Sequence, residues 1–177
     1  MFGADKFSRF EQAILPHLDA AYNLARWLLR NEDDAADAVQ EACLRALRFI
    51  GGFRGGDGRV WLLTIVRNTC YSRLRGNATL EKEVEFDDEI HSRDTETANP
   101  EVLLERTRDN RAMHQALEAL PADLREVVVM RELDGMAYKE IAEIAAIPIG
   151  TVMSRLARAR KRLQRMLSAD MKNEARK

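Results

Sequence analysis

At 177 residues the chain is long enough for one domain or two small ones, and 46% apolar with 32% charged residues is an ordinary globular composition in which 6% aromatics leave the core to aliphatic packing. No apolar run reaches the ~18 residues of a membrane span, and MFGADKFSRFEQ lacks the basic-then-apolar order of a secretory leader, so no membrane insertion is expected and the cytoplasm is the expected location. The net charge of −1 conceals an asymmetry: nine acids against two bases between Thr79 and Glu101, and nine bases against two acids from Gly150 onward, which makes the C-terminus the nucleic-acid-like end.

Taken in order, Phe7, Phe10 and Ile14, then Leu18, Tyr22, Ala25 and Leu29, follow helical spacing, with Pro16 marking a kink or break between two helices. Arg30-Asn31-Glu32-Asp33 ends that segment, and Asn31 or Asp33 can cap the next helix. There Ala36, Val39, Cys43, Leu47 and Ile50 form the expected buried stripe, while Asp34, Asp37, Gln40, Glu41 and Arg45 face elsewhere. IGGFRGGDG follows, too rich in glycine for a helix, and it surrounds Phe53 and Arg54; such a loop serves equally to clasp a flipped base or to join two helices. From Arg59 to Arg75 the chain reads as a helix without a single acid, with Leu63, Val66, Cys70 and Leu74 on one side and Arg67, Asn68, Tyr71 and Arg75 over the rest.

From Gly76 to about Glu105 the periodicity fails and acids dominate, which predicts a flexible linker. Helical patterning resumes through Met113, Leu117, Leu120, Leu124, Val127 and Val128. Tyr138 to Ala145 then reads as a short helix with Ile141, Ala142 and Ala145 inward, and Ala146 to Ile149 as a turn. Beyond it Val152, Leu156, Ala159, Leu163 and Leu167 make one apolar stripe, beside which stand Thr151, Arg155, Arg158, Arg162 and Arg165, with Ser154 and Lys161 further round. Two helices joined in this way, the second basic, form a helix-turn-helix whose second helix can enter a major groove, where hydroxyl and guanidinium groups meet base edges.

The cysteines Cys43 and Cys70 are far apart and the histidines His17, His91 and His114 scattered, so buried structural thiols are expected, with neither a metal site nor a cofactor. The N-terminal half offers no nucleophile with activating neighbours, which argues against a recombinase or nuclease; a stand-alone regulator using the same helix-turn-helix is the alternative function. The patterns predict an all-α protein of two small helical domains, 1–76 and 106–177, joined by the acidic linker 77–105, the C-terminal domain a helix-turn-helix.

EIAEIAAIPIGTVMSRLARARKRL resembles the fourth conserved region of bacterial RNA polymerase sigma factors of the extracytoplasmic-function type, and the resemblance extends upstream through ALEALPADLREVVVMRELDGM. DDAADAVQEACLRAL resembles the second conserved region of the same factors, and W-L-x-x-I-x-R-N at Trp61 to Asn68 their −10-binding helix. The resemblance covers nearly the whole chain and implies an alternative sigma factor, not an enzyme, that binds core polymerase at the β′ clamp coiled coil and the β subunit. It implies promoter DNA as a second partner and an anti-sigma factor, released under stress, as a third. It carries −35 recognition to Thr151, Ser154, Arg155, Arg158 and Arg162, −10 recognition to Phe53, Arg54, Arg67, Asn68 and Arg75, and core docking to Asp37, Gln40 and Glu41. The glycine loop has more glycines than the family pattern, and Ser72 stands where the family often has an acid. Ala137 replaces the Ser or Thr of a capping box with Glu140, at a cost of about 1 kcal/mol, and Ala146 replaces the usual turn glycine, at a similar cost of about 1 kcal/mol if the backbone there is left-handed.

Overall fold

A computed structural model describes residues 2–83 and 103–175, and the acidic linker expected over 77–105 falls for the most part outside them. The chain order is α1 (Phe2–Ala13), a 3-10 turn at Leu15–His17, α2 (Leu18–Leu29), α3 (Glu32–Phe49), α4 (Gly58–Glu83), α5 (Leu103–Ala119), α6 (Ala122–Val128), α7 (Tyr138–Ala145) and α8 (Ile149–Glu174). Every regular element among the described residues is helical, as the sequence predicts.

The punctuation residues act as read. Pro16 sits in the 3-10 turn that breaks α1 from α2. Asn31 caps α3, its side-chain oxygen accepting from the Asp34 amide at 2.9 Å. Asp57, which the sequence did not single out, caps α4 in the same way, accepting from Arg59 at 2.9 Å and Val60 at 3.3 Å. The helix that begins beyond Asp57 needs a glycine at Gly58, because a Cβ there would lie 2.0 Å from the Ala13 carbonyl oxygen. Helix α4 runs on to Glu83 and α5 begins at Leu103. Both reach further than the apolar periodicity suggested, because good helix formers can propagate a helix beyond the stretch that packs.

Packing is aliphatic. In the N-terminal half α2, α3 and α4 pack on one another around Leu24, Leu28, Leu62, Leu63, Val66 and Cys70. In the C-terminal half α8 lies against α5, α6 and α7 around Leu120, Leu124, Val127, Ile141, Ile144, Val152 and Leu156. The two halves also touch, α2 on α6 and α4 on α7.

Two expected stripes are rotated. In α3 the buried residues are Ala35, Ala38, Ala42 and Ala46, whereas Ala36 is exposed and Val39, Cys43 and Leu47 lie on the flank. In α2 the buried set is Ala21, Leu24, Ala25 and Leu28, which leaves Tyr22 on the surface; Phe7 of α1 is exposed too. In both helices small alanines face the partner helix and allow close approach, and the bulkier apolar residues fill the margins. Met113 of α5 is likewise exposed, and Ile144 rather than Ala142 completes the inner face of α7. The stripe of α8 stands as read as far as Leu163, with Val152, Leu156 and Ala159 buried and Leu163 packed against them; beyond it Met166 rather than Leu167 packs on the core.

Candidate nucleic-acid interface

Helix α6 does not end at Val128 but widens into a π-helical turn over Val129–Leu133, and Gly135, at φ 63°, lets the chain reverse into α7. The N-cap of α7 is Ala137, whose amide donates to Glu140 Oε2 at 2.8 Å; an alanine side chain cannot return the bond, so half of a capping box is present. At the other end Ala146 takes φ 53° and ψ 46°, the left-handed C-cap that glycine usually fills. Pro148 then caps α8, its carbonyl accepting from Thr151 at 2.9 Å. The turn is short, and it fixes α7 and α8 as a helix-turn-helix pair.

On α8, Ser154, Arg158, Lys161, Arg162 and Arg165 are exposed, and among the described residues none of the four cations has an acid within salt-bridge range. Thr151 is half-buried at the start of this row. Arg155 stands apart: only 19% of its side chain is exposed, and it is held by Asp123 at 3.8 Å and by Glu126 at 3.5 Å. The row therefore offers four solvent-exposed cations, with two hydroxyls at the helix's N-terminal end and Arg155 as a braced member. Such a helix can pair its guanidinium groups with phosphates or with guanine edges.

The acidic motif on α3 is split as well. Asp37 and Gln40 are exposed, while Glu41 is paired with Arg45 at 2.6 Å and with Arg73 of α4 at 3.2 Å. One turn beyond Gln40 on the same face stands Leu44, 63% exposed, followed by Phe49 at 60%. A polar pair beside two bare apolar side chains is a surface suited to another protein.

The remaining site residues lie on the glycine loop and α4. Phe53 tilts against Trp61 with ring centroids 5.0 Å apart, and its carbonyl accepts from Arg9, while Arg54 is exposed. Asn68 and Arg75 are exposed along α4. Arg67, one position round from Asn68, is turned away from solvent into Glu126 of α6 and stacks over the Tyr71 ring, 4.4 Å from its centroid.

Comparison with known proteins decides the family. A model described as sigma-70 region 2 matches residues 13–79 and one described as sigma-70 region 4 matches residues 110–163. The RNA polymerase sigma-H factor of Pseudomonas aeruginosa is 32% identical over 165 residues, spanning 89% of this chain and 86% of that one. The chain belongs to the extracytoplasmic-function sigma factors of the sigma-70 family. As such it binds core RNA polymerase and directs transcription initiation at specific promoters. The sigma-E factor of Escherichia coli K12 is 37% identical over 137 residues, covering 72% of this sigma factor and 70% of that one. Among solved structures, the sigma factor RpoE in complex with the anti-sigma factor NepR from Bartonella quintana superposes with a TM-score of 0.73 at 30% identity, over 91% of this chain and 98% of that one. CnrH in complex with the cytosolic domain of CnrY superposes with a TM-score of 0.60 at 26% identity, over 91% and 88%.

Sequence reading of this sigma factor missed two features. Leu44 was legible as an apolar residue on the Asp37–Gln40 face, three and four places from Glu41 and Gln40. Glu126 was not, because a charged residue in a helix is ordinarily assigned to solvent, yet it is wholly buried. Burial raises the Glu126 carboxyl above its ordinary range, with Arg67 and Arg155 pulling it back. Its neighbour Arg125 is buried too, donating to the carbonyls of Trp27 at 2.7 Å and Leu120 at 2.9 Å, and burial lowers its guanidinium to about 10. Cys70 is buried and its thiol pushed up to about 12 by that burial, whereas Cys43 is only half-buried and shifted upward for the same reason.

Proposed function

We propose that α8 reads the −35 element through Thr151, Ser154, Arg158 and Arg162, with Arg155 orienting the helix on its own domain as well as facing DNA. The −10 element is read by the N-terminal domain, 1–76, through Phe53, Arg54, Arg67, Asn68 and Arg75. Core polymerase docks on α3 through Asp37, Gln40 and Glu41, with Leu44 adding apolar contact. The linker 77–105 spans the two domains, and 106–177 is the −35 module. The factor has no bond chemistry of its own, acts in the cytoplasm, and is restrained by an anti-sigma factor until a stress signal arrives; relatives solved with anti-sigma partners support that last point.

The observation that carries this reading is the division of labour on the surface. A row of exposed cations with no acid in salt-bridge range among the described residues lies on the second helix of a helix-turn-helix, and a polar face with bare Leu44 lies on a different domain. Asp37→Ala with Gln40→Ala should reduce affinity for core polymerase and leave melting within about 0.5 kcal/mol of the parent, because both side chains are exposed. Adding Leu44→Ala should deepen the loss. Core affinity unchanged in the triple variant would remove α3 from the docking surface.

A further inference from the structure

The glycine loop between α3 and α4 is held at both ends by a helix that carries none of the promoter contacts proposed above. On the near side Arg9 of α1 donates from Nη2 to the Phe53 carbonyl, and the Phe53 amide donates to the Ile50 carbonyl at 3.1 Å. The Phe53 ring packs back on the protein, its centroid 5.0 Å from that of Trp61. Lys6, about one turn before Arg9 on α1, donates to the Arg48 carbonyl at 3.3 Å and ties the same helix to the end of α3. On the far side Gly58 lies against the last carbonyl of α1, where a Cβ would stand 2.0 Å from the Ala13 oxygen. Asp57, just before it, is fixed by the amides of Arg59 and Val60.

Between these fixed points lie Arg54, Gly55 and Gly56, all exposed. Gly55 and Gly56 take φ 90° and 110°, and a Cβ at either would meet nothing within 4 Å. Two residues without side chains cannot hold the tip in place, so its shape is set where it is anchored. The Phe53 carbonyl and the Arg54 amide share one peptide plane, and a donor that holds that oxygen therefore orients the start of Arg54. A short tip anchored at both ends has little conformational freedom to lose when it closes on a base, whereas a tip released at Phe53 has more.

We propose that Arg9 is a positioning residue for −10 recognition: its bond to the Phe53 carbonyl presets the Arg54–Gly56 tip, so that α1 sets how sharply the factor discriminates at the base the tip meets. The inference rests on the assignment of the glycine loop to the −10 element. Lys6 and Arg9 precede residue 13, where the match to sigma-70 region 2 begins, so the brace lies outside the segment that the family model describes.

The test is transcription by the full-length factor with core polymerase from promoters randomised across the −10 element, read as the ratio of best to worst base at each position. Arg9→Met keeps the apolar stem and removes the guanidinium. It should lower that ratio about three- to tenfold at one −10 position, the effect of losing one hydrogen bond that holds the tip. Preference at the −35 element, core affinity and melting temperature should stay as in the parent, because Arg9 is exposed. Arg9→Lys, which still carries a donor, should recover part of the ratio, and in an Arg54→Ala background Arg9→Met should add nothing. Ratios that match the parent at every −10 position overturn the proposal. So does a uniform loss at all promoters with a lower melting temperature, which marks a merely structural role. If Arg54→Ala changes a −10 ratio and Arg9→Met does not, the brace alone falls; if Arg54→Ala also leaves every ratio unchanged, the loop does not read the −10 element and the proposal falls with that assignment.

Discussion

Helices α4 and α8 are each 26 residues long, each has a glycine in its first two positions, and each is rich in arginine. They are put to opposite uses. Helix α4 is wedged between α2 and α3 on one side and α7 on the other, and its Arg59, Arg67 and Arg73 are all committed to acids on other helices. Helix α8 is covered along one stripe only, and leaves Arg158, Lys161, Arg162 and Arg165 in solvent. The difference teaches that arginine content sets the sign of a helix, while neighbouring acids decide whether that charge is spent inside the protein or held for a ligand.

The glycines give the sharpest way to break this comparison. Gly58→Ala pushes a Cβ into the Ala13 carbonyl, so it should cost about 3 kcal/mol or more and lower the melting temperature by several degrees. Gly150→Ala meets nothing within 4 Å, and it should hold or raise the melting temperature, by no more than about 1 kcal/mol, since it removes freedom from the unfolded chain. Equal melting shifts in the two variants would mean that α4 is no more tightly wedged than α8.

Next come the arginines. Arg158→Ala should weaken −35-dependent transcription by about 1–3 kcal/mol if the contact is bidentate to a guanine, with melting unchanged. Arg155→Ala should instead lower stability by about 1–2 kcal/mol, because it removes a partner from the buried Glu126. Thermal melts beside transcription from promoters with intact and mutated −35 elements separate the two. If Arg155→Ala melts like the parent, its braced geometry carries no stability.

A smaller effect is expected at the turn into α8. Ala146→Gly relieves a left-handed alanine and should raise stability by about 1 kcal/mol, read as a higher melting temperature with promoter preference unchanged. The last test expects almost nothing to happen. Cys70, on the covered side of α4 with its thiol at about 12, should resist iodoacetamide at pH 8 in the native protein, and Cys43 should react first. Mass spectrometry of partly alkylated protein gives the order; prompt labelling of Cys70 would show that α4 opens readily.

The site was legible unevenly, and for a consistent reason. The stripe of α8 and the cations beside it could be read because that helix packs on one side only, so helical periodicity maps directly onto exposure. The stripes of α2 and α3 were read one position off: the buried face of α3 is all alanine, whose weak apolar signal is outbid by Val39 and Leu47, and that of α2 mixes Ala21 and Ala25 with Leu24 and Leu28, beside which Tyr22 was read as inward. Arg67, Asn68 and Arg75 were correctly placed on one helix, but nothing in the order of residues separates Arg67, turned inward, from Asn68, exposed.

What the sequence determined by itself is whatever depends on neighbours a few places away: helix periodicity, the cap at Asn31, the break at Pro16, and the turn at Ala146. Those are local, because each is set by backbone geometry and hydrogen bonds that close within one turn. The tertiary structure alone decided which charges are free. Glu126 meets Arg67 across 59 positions and Arg59 meets Glu140 across 81, and the worth of a charge depends on the partner and the burial found at that distance, which no local pattern encodes.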